Sequence, residues 1–181
     1  LWLYLERETD LLTRPVRLLH IAPEVCLMRR LKTRYRGHEE LYVTADLESP
    51  LARLHFDVQD IPLENDYAEV ILCNHLLEHV ADDAQALREL YRVMKPGGWG
   101  ILLSPVDPMR ARTFEDDTIT DPAERTRLFG QYDHRRIYGA DYADRLRQAG
   151  FQVADIDYAA TFTEAERRLY ALPADHMYVV Y

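Results

Sequence analysis

Apolar positions along this chain fall into short blocks separated by polar punctuation. Val16 to Ile21 is continuous apart from Arg17 and His20, and Leu41 to Ala45, Val70 to Cys73 and Trp99 to Leu103 are similar blocks. Runs this short, without strict alternation, predict strands buried on both faces, as in a parallel sheet. Leu54 to Val58, Phe151 to Tyr158 and Met177 to Tyr181 predict three more strands, bringing the set to seven.

Between these blocks the spacing becomes helical. Glu24, Leu27, Met28, Leu31 and Tyr35 share one face, with Gly37 as the stop. Asp82 or Asp83 caps a second helix with an apolar face of Leu87, Leu90, Tyr91 and Met94, ended by Lys95-Pro96-Gly97-Gly98. Leu1, Leu5, Leu11 and Leu12 predict a short leading helix closed by Pro15, and Asp141, Tyr142, Leu146 and Ala149 a late one closed by Gly150. From Asp107 to Gly139 the pattern is polar and poorly periodic. Within it, Asp121-Pro122-Ala123-Glu124 has the spacing of an N-cap, a first-turn proline and a capping-box glutamate, with Gly130 as terminator.

Strands alternating with helices predict right-handed crossovers and an α/β fold: a doubly wound, mostly parallel seven-stranded sheet with helices on both faces. The expectation is a single domain over residues 1–181, carrying a substrate-side insert at about 107–139. In such sheets ligands bind beyond the carboxyl ends of the strands. Residues at those ends are therefore the candidates for chemistry.

Composition narrows the partners. The chain has 181 residues, 48% hydrophobic and 29% charged, with a formal net charge of −9. That charge repels phosphate backbones and anionic membrane surfaces, so neither nucleic acid nor membrane is expected as a partner. No apolar run approaches the roughly 20 residues of a membrane span. The basic group Arg29, Arg30, Lys32, Arg34 and Arg36 reads as a solvated helix face. Cys26 and Cys73 are the two cysteines, each in an apolar segment, which argues against a disulfide framework and for a reducing, cytoplasmic setting. The chain opens on Leu1, which leaves room for a processed or truncated start. The pattern leaves the oligomeric state open.

Five segments, in order, carry a family resemblance: Leu18-Leu19-His20-Ile21-Ala22-Pro23-Glu24; Thr44-Ala45-Asp46; Asp57-Val58-Gln59-Asp60-Ile61-Pro62-Leu63; Leu72-Cys73-Asn74-His75-Leu76-Leu77-Glu78-His79-Val80; and Arg92-Val93-Met94-Lys95-Pro96-Gly97-Gly98. The chain resembles the class I S-adenosylmethionine-dependent methyltransferases, in particular the type 11-like domain. The resemblance implies a Rossmann-like methyltransferase fold and S-adenosylmethionine as cofactor, leaving S-adenosylhomocysteine as product.

The resemblance assigns the cofactor to His20, Ala22, Pro23, Glu24, Asp46, Asp57, Val58 and Asn74. A carboxylate at the end of the second strand can accept from both ribose hydroxyls, the role given to Asp46. Asp57 would accept from the adenine amino group while the Val58 N–H donates to the ring. Asn74 and His75 would line the cleft near the transferred methyl. The first turn departs from the family, which places an acidic residue and then glycines there. Here Pro23 removes a donor and Glu24 adds bulk and charge. Two readings follow: Glu24 faces the cofactor's ammonium or sulfonium and replaces the missing acid, or the turn has lost cofactor affinity and the chain is a non-catalytic scaffold of the same fold.

Methyl transfer is an in-line displacement, in which positioning dominates and a base is needed only when the acceptor must lose a proton. His75 is the candidate base, with Glu78 and His79 supporting it. Asp133 and His134 in the insert are expected to form an oriented acid–base pair, and Arg136 an anion clamp, or else the insert's charges simply pin it to the core. His75-x-x-Glu78-His79 also has the spacing of a zinc-peptidase motif, which needs both histidines on one well-formed helix and a third protein ligand, but the first histidine directly follows a strand and a glycine-terminated βαβ unit comes next, so no metal is expected. His20 to Cys26 contains no glycine, which disfavours a nicotinamide dinucleotide site. The acceptor is expected to be a small polar molecule.

Overall fold

The protein is described by a computed structural model covering residues 1–172 and 175–181. Its strands, in chain order, are β1 (Leu18–Ile21), β2 (Tyr42–Asp46), β3 (Leu54–His55), β4 (Ala68–Asn74), β5 (Met94–Leu103), β6 (Phe114–Glu115), β7 (Arg136–Ile137), β8 (Val153–Ile156) and β9 (Met177–Val180). The helices are α1 (Trp2–Arg7), α2 (Val25–Arg34), α3 (Asp83–Val93), α4 (Pro122–Phe129), α5 (Tyr142–Gln148) and α6 (Glu164–Leu169). Seven strands form one sheet in the order β3-β2-β1-β4-β5-β9-β8, while β6 and β7 pair separately. The pairings from β3 to β5 are parallel, and β9 runs antiparallel to both β5 and β8. The expected α/β architecture is therefore present, with one reversed strand near an edge.

Alternate residues of each central strand enter different cores, which is why these strands read as unbroken apolar runs. Leu19, Ile21, Ile71 and Cys73 pack on one face with Leu87 and Leu90 of α3 and Leu146 of α5. Leu18, Val70 and Leu72 pack on the other with Leu27 and Leu31 of α2 and Tyr4 and Leu5 of α1. Both faces are covered, so a polar side chain on these strands survives only if it is hydrogen-bonded.

Several predicted boundaries move. The third strand stops at His55 because Asp57 accepts from the Gln59 N–H at 2.8 Å and turns the chain. The leading helix ends at Arg7, well before Pro15, where Thr9 Oγ1 donates to the Leu5 carbonyl and competes with the next helical bond. Asp82, not Asp83, caps α3, accepting from the Gln85 N–H at 2.9 Å. Ala86, Leu87, Leu90 and Val93 form its buried face, while Tyr91 packs edge-on against Phe151 and Met94 already belongs to β5. Asp121 caps α4 as expected, and Gly130 ends it in the left-handed region with φ +92°.

The insert is tied down at its far end. Asp141 Oδ1 accepts from both the N–H and the hydroxyl of Thr113, instead of capping α5. Gly139 lies so close that a Cβ on it would sit 2.5 Å from the Arg112 carbonyl carbon. Among the described residues, no helix is long and apolar enough to cross a membrane.

Candidate functional site

The carboxyl ends of β1 and β4, adjacent in the sheet, each run into a non-glycine residue with a left-handed backbone. Ala22 has φ +48° and His75 has φ +53°. Ala22 N–H donates to the Ala45 carbonyl at 2.8 Å, and His75 N–H to the Leu103 carbonyl at 2.7 Å, so neighbouring strands enforce both conformations. Such a conformation costs about 1–2 kcal/mol for a residue with a Cβ and concentrates at functional turns. The turn after β1 thus keeps the backbone form expected of glycine with an alanine in place. Ala22→Gly is expected to leave stability unchanged or raise it by up to ~1 kcal/mol, and Ala22→Val to lower it by ~1–2 kcal/mol, both read from urea unfolding.

Glu24 occupies the N-cap position of α2 but makes no side-chain cap. Its carboxylate swings towards the sheet instead. Oε2 lies 2.9 Å from His20 Nε2, and Oε1 accepts from Asn74 Nδ2 at 3.0 Å. His20 is fully buried on β1, and its Nδ1 lies 2.9 Å from the Tyr42 hydroxyl. Burial pushes the Glu24 carboxyl up, but hydrogen bonds from His20 and Asn74 and from its own backbone outweigh it, leaving the carboxyl below its usual value. Glu24 is therefore an anion at neutral pH. Asn74 is 2% exposed, and its Oδ1 has no hydrogen-bond partner among the described residues. Since a carboxylate only accepts, the amide must turn Nδ2 to Glu24, which leaves Oδ1 as the orphan.

The two other predicted carboxylates hold turns. Asp46, at the end of β2, accepts through Oδ1 from the Glu48 and Ser49 N–H groups at 2.9 and 2.8 Å. Asp57 is exposed and accepts from the Gln59 backbone and side chain, beside a buried Val58. Pro23 lies between Ala22 and the Glu24 cap without secondary structure of its own.

His75 projects from the end of β4 with a side chain 60% exposed, its Nδ1 3.7 Å from Glu78 Oε1. The Glu78 carboxylate pushes the imidazole above its ordinary value of 6.5, against the opposing effect of partial burial. Glu78 is itself buried and accepts from the Ser104 hydroxyl at 3.0 Å. The base candidate is thus exposed while the carboxylate that steers it is fixed.

The expected Asp133–His134 pair does not form. His134 is buried, with Nδ1 2.9 Å from the Phe129 carbonyl, and Asp133 lies instead 3.4 Å from His79 Nδ1. The cause is the end of α4, whose last carbonyls need donors and take the His134 ring. Arg136 is no anion clamp either. It is 3% exposed and donates to the Leu77, Val80 and Ala81 carbonyls and to Glu115, stapling the insert to the segment after β4. Glu78, His79 and His134 bring ligand-type atoms within 4.8 Å of one another, a group that does not include His75. Within it the two imidazoles pack edge to face with centroids 4.7 Å apart. A separate cavity of about 530 Å³ lies between α3 and α5, lined among others by Leu87, Arg88, Arg112 and Arg145, and contains none of the residues at the β1 and β4 ends.

Tyr42 was absent from the predicted site. Leu18 pairs with Tyr42 and His20 with Thr44, so Tyr42 is the diagonal neighbour of His20 on the same face. The available signal was a buried histidine on β1, which demands a partner from the adjacent strand.

Residues 12–102 match the family described as methyltransferase domain. The 2-methyl-6-phytyl-1,4-hydroquinone methyltransferase of Arabidopsis thaliana is 36% identical over 98 residues, which cover 53% of this chain and 25% of that protein. Matched segments span only 20% to 35% of the curated relatives' lengths. The solved structure of an S-adenosylmethionine dependent methyltransferase from Mesorhizobium loti superposes with a TM-score of 0.62 at 14% identity, covering 99% of this chain and 96% of that one. The structure of the [4+2]-cyclase SpnF has the same fold at a TM-score of 0.50 and 18% identity, covering 97% of this chain and 78% of that one.

Proposed function

Because the chain belongs to the methyltransferase domain family of S-adenosylmethionine-dependent enzymes, we propose that it transfers a methyl group from that cofactor to a small polar acceptor. The observation that carries this reading is the anionic Glu24, held by His20 and Asn74 at the end of β1 beside the orphaned Asn74 Oδ1. An anion and an unfilled buried acceptor at this edge fit a ligand with a cationic amino group. Glu24 thereby takes over from the acidic residue that the first strand lacks.

When bound, S-adenosylmethionine supplies an electrophilic methyl on a sulfonium. Glu24 and Asn74 hold its amino group, with Ala22 and Pro23 shaping the turn. Asp46, whose Oδ1 serves its turn, would accept from the ribose hydroxyls, and Asp57 with the Val58 N–H would address the adenine edge. His75 accepts the proton of an acceptor hydroxyl or amine. His134 and Asp133 have structural and His79-facing positions that support the insert and are not assigned a proton-transfer step.

For His75, the proton-accepting form predominates only above its raised value, so the turnover–pH profile is expected to rise on the alkaline side of 6.5. Glu78→Gln moves that limb to lower pH, and His75→Ala keeps cofactor binding while lowering turnover by about 10²–10⁴-fold. Undiminished turnover in His75→Ala removes it from the role. The function itself is tested by isotopic methyl transfer to small hydroxylated and amino acceptors. Hydroquinones are screened first, because the Arabidopsis relative is named for one.

A second reading rests on the glycine-free turn: a non-catalytic binding or scaffold protein of the same fold, with a degenerate cofactor turn. Saturable binding without transfer to any acceptor favours it.

A further inference from the structure

We propose that Tyr42 and His20 are positioning residues that aim the Glu24 carboxylate and make the site selective for a ligand carrying a primary ammonium, with Asn74 Oδ1 as the second acceptor. This rests on the reading that S-adenosylmethionine binds at the β1 edge.

A glutamate at a helix N-cap ordinarily turns to the helix's own free N–H groups or to water. Glu24 does not cap the helix, because two donors from the sheet hold its part-exposed carboxylate. One of them is the Nε2–H of His20, and whether that hydrogen is on Nε2 depends on what faces Nδ1. The Tyr42 hydroxyl at Nδ1 and the Glu24 carboxylate at Nε2 decide it together. Burial pushes the Tyr42 hydroxyl up from 10, with Glu24 adding to the shift, so it stays protonated and donates to Nδ1 at 2.9 Å. His20 is thereby fixed as the tautomer that donates to Glu24. Without the hydroxyl, Nδ1 loses its buried donor and only the carboxylate holds the ring, so the aim of Glu24 loosens.

Three features converge on one ligand chemistry. The carboxylate is anionic, its direction is fixed from behind by a buried relay, and Asn74 Oδ1 beside it lacks a donor. A carboxylic acid, a neutral amine or an anion would leave at least one of them unanswered. An ammonium, with several N–H donors and a positive charge, answers all three.

The test is calorimetric titration of S-adenosylhomocysteine and of its analogue lacking the amino group, into the parent chain and the variants Tyr42→Phe, His20→Gln and His20→Asn. Thermal unfolding confirms that each is folded. Tyr42→Phe keeps the ring, which packs 5.4 Å from Tyr35. It is expected to weaken S-adenosylhomocysteine binding about tenfold and leave the analogue unchanged. His20→Gln, which can present an N–H where Nε2 was, is expected to stay within about threefold of the parent, while His20→Asn, too short to reach Glu24, loses more than tenfold. Equal weakening of both ligands in Tyr42→Phe, or none, overturns the proposal. A folded parent that binds neither ligand overturns the functional reading on which it stands.

Discussion

Replacing Glu24 by glutamine is expected to weaken S-adenosylmethionine binding by about two orders of magnitude while leaving thermal stability close to that of the parent. Removing one charge of a desolvated ion pair costs about 2–5 kcal/mol of affinity, and each 1.4 kcal/mol is roughly a factor of ten. The stability half follows from Asn74. With a glutamine at position 24, the Asn74 amide flips so that Oδ1 accepts from the new side-chain NH₂, which moves Nδ2 into the unpartnered place and leaves one buried polar atom unsatisfied, as in the parent. Affinity therefore falls with little change in stability, which separates a binding role for the charge from a structural one. Calorimetry and thermal unfolding on the same sample check both. Unchanged affinity would remove Glu24 from the cofactor site.

The second large effect is structural. Arg136→Ala is expected to destabilise the fold by about 3–5 kcal/mol, read as a lowered urea midpoint with an unchanged slope. Arg136 is buried, and its guanidinium donates to the Leu77, Val80 and Ala81 carbonyls at 2.8, 2.7 and 3.0 Å. It also donates to Glu115 at 2.8 Å, where Arg145 joins and continues to Asp83. Truncation strands the Val80 and Ala81 carbonyls, leaves Leu77 with the Tyr138 hydroxyl at 3.1 Å alone, and leaves the Glu115 and Asp83 carboxylates with less positive charge. Arg136→Lys recovers only part of the loss, because a single ammonium cannot reproduce the fork that spans these acceptors. A loss below ~1 kcal/mol for Arg136→Ala would show that the insert is held by other contacts.

The central sheet was legible because its strands are covered on both faces and so read as short apolar runs. Val16 to Ile21 and Val70 to Cys73 could be placed to within two or three residues for that reason. Leu54 to Val58 carries two polar residues among five and ended early, since a single Asx turn at Asp57 outweighs strand propensity over so short a segment. Charged side chains were harder to assign. Arg136 and Asp133 look alike in sequence, as polar residues in a long insert, and only tertiary position makes one a buried staple and the other a surface partner of His79. Glu24 was visible as an oddity in the first turn. The relay behind it was hidden, because sequence gives neither the β1–β2 register nor the face on which Tyr42 meets His20.

Titrating the folded chain with S-adenosylmethionine and S-adenosylhomocysteine in a calorimeter, with a nicotinamide dinucleotide and zinc as controls, bears most directly on whether the glycine-free edge of β1 is a working cofactor site. Saturable one-site binding of the first two and none of the dinucleotide is the predicted result. Failure of both to bind a demonstrably folded sample would contradict it and leave the methyltransferase fold here without its cofactor.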